Sequence, residues 1–199
     1  MKKMVMTLCA FAITTAFGIS DSDYNKFDTL DESGRYKEAL AFLKPLAEAG
    51  DGRATTLIGY LYEVRFDSYG EGIKWYKKGM ELNDSLAYKN MGWIYYLMRD
   101  YKLAAKTYEK ASDLGNVQAD AMIGNMYLNG IYYTRDYKKA LVYIQRAAEK
   151  NNAQALTDLA ICYENSYGVA RDLNKARELY RRGAAGGNEY AQKALGRLQ

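Results

Sequence analysis

Residues 155–187 read ALTDLAICYENSYGVARDLNKARELYRRGAAGG, and this stretch holds one complete structural unit. Ala155, Leu159 and Tyr163 recur at i, i+4 and i+8, which puts them on one face of a helix. Ala160, beside that face, is small enough to let a second helix come close. Another apolar pattern follows, in which Ala176 and Gly183 stand seven residues apart with Leu179 and Tyr180 between them. It closes at Gly187, a residue suited to the left-handed backbone just past a helix end. The stretch therefore predicts a hairpin of two amphipathic helices, an A helix and a B helix.

Upstream, the unit returns three times. Its A helices carry Ala54-Ile58-Gly59-Tyr62, Ala87-Met91-Gly92-Tyr95 and Ala119-Ile123-Gly124-Tyr127. Its B helices carry Gly72 and Gly79, Ala104 and Ala111, and Ala140 and Ala147, with Trp75, Tyr76, Tyr108, Tyr143 and Ile144 as the bulky residues between. The closing residues Gly50, Asn83, Gly115, Asn151 and Gly187 are spaced by 33, 32, 36 and 36 positions. Periods of that size belong to stacked helical hairpins that share a core with their neighbours. Arg35 to Ala49 supplies an earlier B helix, bent at Pro45 by the missing backbone donor. Asp21 to Asp31 supplies a short A helix before the turn at Ser33 and Gly34. At the other end Ala191-Leu195-Gly196 repeats the A pattern, with Glu189, Gln192, Lys193 and Arg197 as the polar face of a cap. The prediction is an all-α solenoid over residues 21–199, made of about five helical pairs and a C-terminal capping helix.

Composition narrows the chemistry. The chain has 199 residues, no histidine, one proline and 20 tyrosines. Without imidazole there is no Ser-His-Asp or Cys-His nucleophile, no His-ligated zinc and no histidine pH switch. Met1 to Ser20 has Lys2 and Lys3, then an apolar run from Met4 to Phe17 and small residues, which is signal-peptide architecture with cleavage after Gly18 or after Ser20. Export to the periplasm or the medium follows, with no stable membrane insertion after leader cleavage. Leu8 stands where a lipoprotein signal would place a small residue before Cys9, so a lipid anchor is not expected. Setting aside Lys2 and Lys3 from the 28 basic residues leaves 26 against 24 acidic ones. That balance does not suggest a nucleic acid or an anionic membrane as partner. Cys162 is then the lone cysteine, read as a small buried hydrophobe and not as a catalytic thiol. No metal or cofactor is implied, because ligand spacing and phosphate loops are absent and Gly186-Gly187 is explained as a helix end.

The loops between helices carry a further signature. Tyr167-Gly168-Val169, Arg171-Asp172 and Lys175-Ala176 resemble the loop and second helix of Sel1-like repeats, the longer relatives of tetratricopeptide repeats. Gly130, Arg135-Asp136 and Lys139-Ala140 are similar, while Gly92 to Ala104 has the shorter tetratricopeptide-like interval. The resemblance implies a right-handed superhelix that binds other proteins on its concave surface. It also implies a range of roles, since Sel1-like proteins include secreted adaptors, regulators and immunity proteins against phospholipase effectors. One branch has a disulfide in each repeat, which this sequence lacks.

If the A helices line the concave surface, the residue after the small Gly or Ala, and those three and four further on, face the groove. This gives Tyr60, Glu63 and Val64; Trp93, Tyr96 and Leu97; Asn125, Leu128 and Asn129; and Ile161, Glu164 and Asn165. Arg53, Thr56, Lys89 and Gln118 add polar contacts nearer the helix starts. Tyr62, Tyr95, Tyr127, Tyr163 and Trp75 are assigned to the core, and the loop residues Tyr69, Tyr132, Tyr133 and Tyr167 form an alternative contact edge. Exposed aromatic side chains such as Trp93 and Tyr96 are good anchors for a partner. The expected function is an exported, non-enzymatic binder of a protein, in its most concrete form an immunity protein that occludes a toxin. The alternative is a periplasmic scaffold or regulator of envelope or secretion machinery. Glu63 and Glu164 are read as solvated groove charges and not as a glycosidase pair, being a hundred residues apart on different repeats.

Overall fold

Short polar side chains start the helices and left-handed residues end them. In the computed structural model, which describes residues 19–198, the A helices are α1 (Asp21–Glu32), α3 (Gly52–Tyr60), α5 (Ser85–Leu97), α7 (Val117–Asn129), α9 (Ala153–Asn165) and α11 (Glu189–Arg197). The B helices are α2 (Tyr36–Glu48), α4 (Tyr69–Glu81), α6 (Tyr101–Asp113), α8 (Tyr137–Glu149) and α10 (Leu173–Ala185). Asp51, Asp84, Asn116, Asn152 and Asn188 each accept a bond from the N–H three residues on, at 2.7 to 3.0 Å. Asp100, Asp136 and Asp172 do the same for three B helices. Each such cap stabilises its helix by about 1 kcal/mol. The five closing residues adopt positive φ as expected, from 56° at Asn83 to 91° at Gly50.

The small residues on the A helices are required by contact. A Cβ added to Gly59, Gly92 or Gly124 would lie 2.6 to 2.7 Å from the side chain of Tyr76, Tyr108 or Ile144 respectively. The B-helix residue thus lies directly on A-helix backbone, and this is where the interior is deepest. Tyr76, Tyr108, Tyr180 and Ile144 are all essentially inaccessible. Each hairpin also packs on the next, B helix against following A helix. Across repeats α3 touches α5 and α7 touches α9, whereas no two B helices approach as closely. The A helices of these repeats therefore approach one another more closely than the B helices do.

Several expectations are corrected. Tyr62, Tyr95, Tyr127 and Tyr163 are half-buried, not core, because they sit on the last turn of each A helix at the edge of the seam. Tyr127 stacks there on Tyr133 with ring centroids 4.1 Å apart. Trp75 is also half-buried, with the Lys78 ammonium 4.3 Å from its ring centroid. The B helix expected around Pro45 is present, with the proline inside α2. At Tyr60 helix α3 passes into a π-helical turn, Leu61–Arg65, which no sequence pattern indicated.

The expected leader lies outside the described residues except for its last two. Of these, Ile19 packs against the first core cluster and the Ser20 hydroxyl accepts from the Asp23 N–H. No described helix is long and apolar enough to cross a membrane.

Candidate functional site

Laying the repeats on one another exposes how each hairpin is tied. The residue after the A-helix tyrosine is Glu63, Tyr96, Leu128 and Glu164 in turn, and the matching B-helix residue is Tyr76, Tyr108, Ile144 and Tyr180. In the first unit the Tyr76 hydroxyl donates to Glu63 Oε2, and in the fourth the Tyr180 hydroxyl donates to Glu164 Oε2 at 2.7 Å. In the third, Leu128 and Ile144 share one apolar cluster. The second unit breaks the pattern. Tyr96 stands where a carboxylate would be, and the buried Tyr108 hydroxyl has no hydrogen-bond partner among the described residues. Burial pushes the Tyr108 pKa well up, with the Tyr96 hydroxyl adding to the rise. A buried polar atom left unpaired is uncommon and costly.

A second position breaks in the same unit. Two residues after the first A-helix alanine come Thr56, Lys89, Ala121 and Thr157. Thr56, Ala121 and Thr157 are buried. The Thr56 hydroxyl lies 2.9 Å from the Gly52 carbonyl and 2.8 Å from Asp84 Oδ1, and Thr157 donates to the Ala153 carbonyl at 2.8 Å. Lys89 instead places a cation there, half-buried, with no carboxylate within ion-pair distance among the described residues. Desolvation lowers its pKa, opposed by the Glu63 carboxylate.

Both departures border one cavity of about 290 Å³ between α5 and α7, lined by Lys89, Trp93, Tyr108, Gln118, Met122 and Gln154 among others. Helices α5 and α7 make looser contact than the neighbouring A-helix pairs, which leaves this opening. At its rim Trp93 is 44% exposed and stacks on Tyr96, ring centroids 5.8 Å apart and planes 7° from parallel. Leu97 and Met98 extend the exposed apolar surface past the end of α5.

The remaining predicted residues divide sharply. Thr56 and Leu128 are corrections: both are buried, the first held inside its own hairpin and onto the next N-cap, the second in the core, so neither faces a partner. Glu63 and Glu164 are half-buried and tied to tyrosines, hence not the freely solvated charges expected. Tyr60 lies in an inter-repeat cluster that no spacing revealed: Arg65, brought round by the π-helical turn, makes two hydrogen bonds of 2.8 and 2.7 Å to Asp31, with the Tyr60 hydroxyl 3.4 Å from the same carboxylate. Arg53 is exposed and its guanidinium lies 4.5 Å from the Tyr24 ring centroid. Asn125 is half-buried and donates to Asp158 Oδ2 at 3.4 Å, while the exposed Asn129 donates to the Asn125 carbonyl at 3.0 Å.

Asp158 carries no signal in the spacing of the repeats. It is buried, and desolvation raises its pKa to about 6 against the hydrogen bonds from Asn125 and Gln154. Cys162 is buried as expected and its thiol is pushed up to about 12 by desolvation, then by Asp158, so it stays protonated at neutral pH. Among the described residues no group of three or more His, Cys, Asp or Glu is placed to hold a metal.

Comparison with known proteins agrees with this architecture. The Sel1 repeat family matches residues 54–84, 85–116, 117–152 and 153–188. Among solved structures, a Sel1 repeat protein from Oxalobacter formigenes is 31% identical with a TM-score of 0.70, over 79% of this chain and 65% of that one. The protective antigen c5321 of uropathogenic Escherichia coli is 25% identical with a TM-score of 0.66, over 89% of this chain and 42% of that one. This chain thus spans less than two thirds of either protein. The immunity protein PA5088 of Pseudomonas aeruginosa is similar in fold, at 23% identity and a TM-score of 0.66 over 86% of this chain and 66% of that one. No curated protein matches in sequence. Four consecutive repeat matches covering most of the helical pairs show that the chain belongs to the Sel1 repeat family, an α-solenoid of paired helices.

Proposed function

We propose that this protein is an exported, non-enzymatic binder that holds a partner protein against its A-helix face. The observation that carries the reading is the Trp93–Tyr96 stack on the A-helix face, in which Trp93 is exposed at the rim of the cavity and Tyr96 is half-buried beside it. An aromatic pair held by its own stacking buries much area on binding at little rotamer cost. Arg53, Gln118 and Asn129 supply exposed polar groups along the same row. Catalysis is not part of the proposal, because the carboxylates that face the groove are occupied by tyrosine hydroxyls and the thiol is buried and protonated.

In its specific form the partner is a secreted toxin that this protein neutralises. The support is the exported Sel1 architecture and a fold like that of the immunity protein from Pseudomonas aeruginosa. Export rests on the sequence of residues 1–18. A leader cut after Gly18 is the better placed of the two sites, since it keeps Ile19 on the core and Ser20 as the cap of α1. The test is affinity capture from periplasmic extract with the wild type and with Trp93→Ala and Tyr96→Ala. Capture of a secreted effector, lost in both variants while helicity is kept, is the expected result. Equal capture by all three would move the contact to the loops or the B row. A phenotype of gene loss in pure culture, without any competitor, would favour an envelope scaffold over toxin neutralisation.

A further inference from the structure

The second unit departs from its siblings at two positions, and both departures meet at one cavity. Lys89 occupies a position that is buried threonine in the first and fourth units and buried alanine in the third. Tyr108 has lost the carboxylate that Tyr76 and Tyr180 keep. A register rule broken twice at one place, with neither group hydrogen-bonded or ion-paired to a described side chain, is what a binding site looks like in a repeat array. The volume, about 290 Å³, sits at the bottom of the range of about 300–1,000 Å³ typical of small-molecule sites, and suits one inserted side chain.

The lining decides which side chain. Lys89 offers three N–H donors and Trp93 an indole N–H, and none of these is taken up by another described side chain, whereas the unpaired Tyr108 hydroxyl is itself buried. Gln154 is already engaged at both ends, donating to Asp158 and accepting from Asn188, each at 3.0 Å. No carboxylate borders the cavity, and Glu63, the one that acts on Lys89, is held by Tyr76. The site therefore lacks a single negative charge with acceptor oxygens. One cation without an arginine fork matches a monoanionic carboxylate better than a phosphate dianion. Resting on the groove reading above, we infer that the cavity between α5 and α7 receives one acidic side chain of the bound protein, its carboxylate pairing with the Lys89 ammonium beside the Trp93 indole.

The experiment follows the Trp93 indole N–H by NMR in ¹⁵N-labelled protein. Three probes are titrated: the blocked peptide Ac-Ala-Ala-Glu-Ala-Ala-NH₂, its glutamine counterpart, and acetate. The expected result is a saturable shift with the glutamate peptide, at least about tenfold weaker binding of the other two, loss of the glutamate preference in Lys89→Gln, and its retention in Lys89→Arg. Tyr108→Phe, which removes a hydroxyl closed off from the cavity, should leave the glutamate preference unchanged. Equal response to glutamate and glutamine peptides, acetate binding as tightly as the peptide, or no shift with any probe would overturn the inference. A partner captured through Trp93 and Tyr96 with affinity indifferent to Lys89→Gln would also overturn it while leaving the groove reading standing. Loss of capture on Lys89→Gln but not on Trp93→Ala or Tyr96→Ala would remove the groove reading instead.

Discussion

Three buried tyrosines, identical in type and nearly so in burial, should respond unequally to loss of one oxygen atom. Tyr76, Tyr108 and Tyr180 each lie on A-helix backbone at the centre of a hairpin and are at most 1% exposed. Changing any of them to phenylalanine keeps the ring and its packing. At Tyr76 and Tyr180 the change also removes a hydrogen bond to a half-buried glutamate, and leaves that carboxylate without the donor. Bonds to charged groups contribute about 1.5–3 kcal/mol. Glu164 keeps 17% side-chain exposure and Arg197 nearby at 3.5 Å, so water and the guanidinium offset part of the loss. A cost of about 1–2 kcal/mol is expected at both sites. At Tyr108 the hydroxyl bonds to nothing, so phenylalanine removes an unpaired buried donor, and the expected change runs from neutral to a gain of about 1 kcal/mol. For a domain of this size, 1 kcal/mol moves the melting temperature by about 2–4 °C. Urea unfolding followed by far-ultraviolet circular dichroism, with the denaturant slope checked for constancy across the series, separates the variants. Equal losses for all three would refute the assignment of Tyr108 as the unpaired member. Equal neutrality would refute the tyrosine–glutamate ties.

Other substitutions probe separate parts of the same reasoning. Asp158 has its pKa raised from 3.8 to about 6, so between those values the folded state binds more protons than the unfolded one, and stability falls as pH rises through that window. Asp158→Asn should flatten that slope in melts from pH 4 to pH 7 and stabilise the protein above pH 6 by about 1–3 kcal/mol; an unchanged slope would show that Asp158 is already solvated. Gly92→Ala puts a Cβ 2.7 Å from the Tyr108 ring and should cost about 1–3 kcal/mol, whereas Gly196→Ala meets nothing within 4 Å on an exposed helix and should gain up to about 1 kcal/mol; paired melts of the two check it. Arg65→Met leaves Asp31 buried without its cation and should destabilise by about 1–3 kcal/mol, an effect that Asp31→Asn in the same chain should largely cancel in a double-mutant cycle.

Much of the architecture was legible because it is written in local, repeated chemistry. The alanine and apolar positions at i and i+4 state which face is buried, with the tyrosine at i+8 only at its edge; the glycines at Gly59, Gly92 and Gly124 state where a neighbour touches backbone, and Asn83 and Asn151 state where φ must turn positive. The site was less legible for a physical reason. A single A-helix cannot say how far its groove face extends before the neighbouring repeat covers it, which is why spacing alone puts Thr56 and Leu128 on a surface although both are buried. The π-helical turn adds to this by rotating everything after Tyr60, carrying Arg65 onto Asp31, and no residue type in LYEVR announces it. Lys89 and Tyr108 are a different case. Nothing about either residue alone is unusual, and their significance appears only when A and B helices of all four units are compared position by position. The glutamates at 63 and 164 then define what the second unit is missing. In a repeat array the siblings are internal controls, so a departure shared by two residues that lie some twenty positions apart, yet border one cavity, points outward to a partner more strongly than either exposure or aromatic content does.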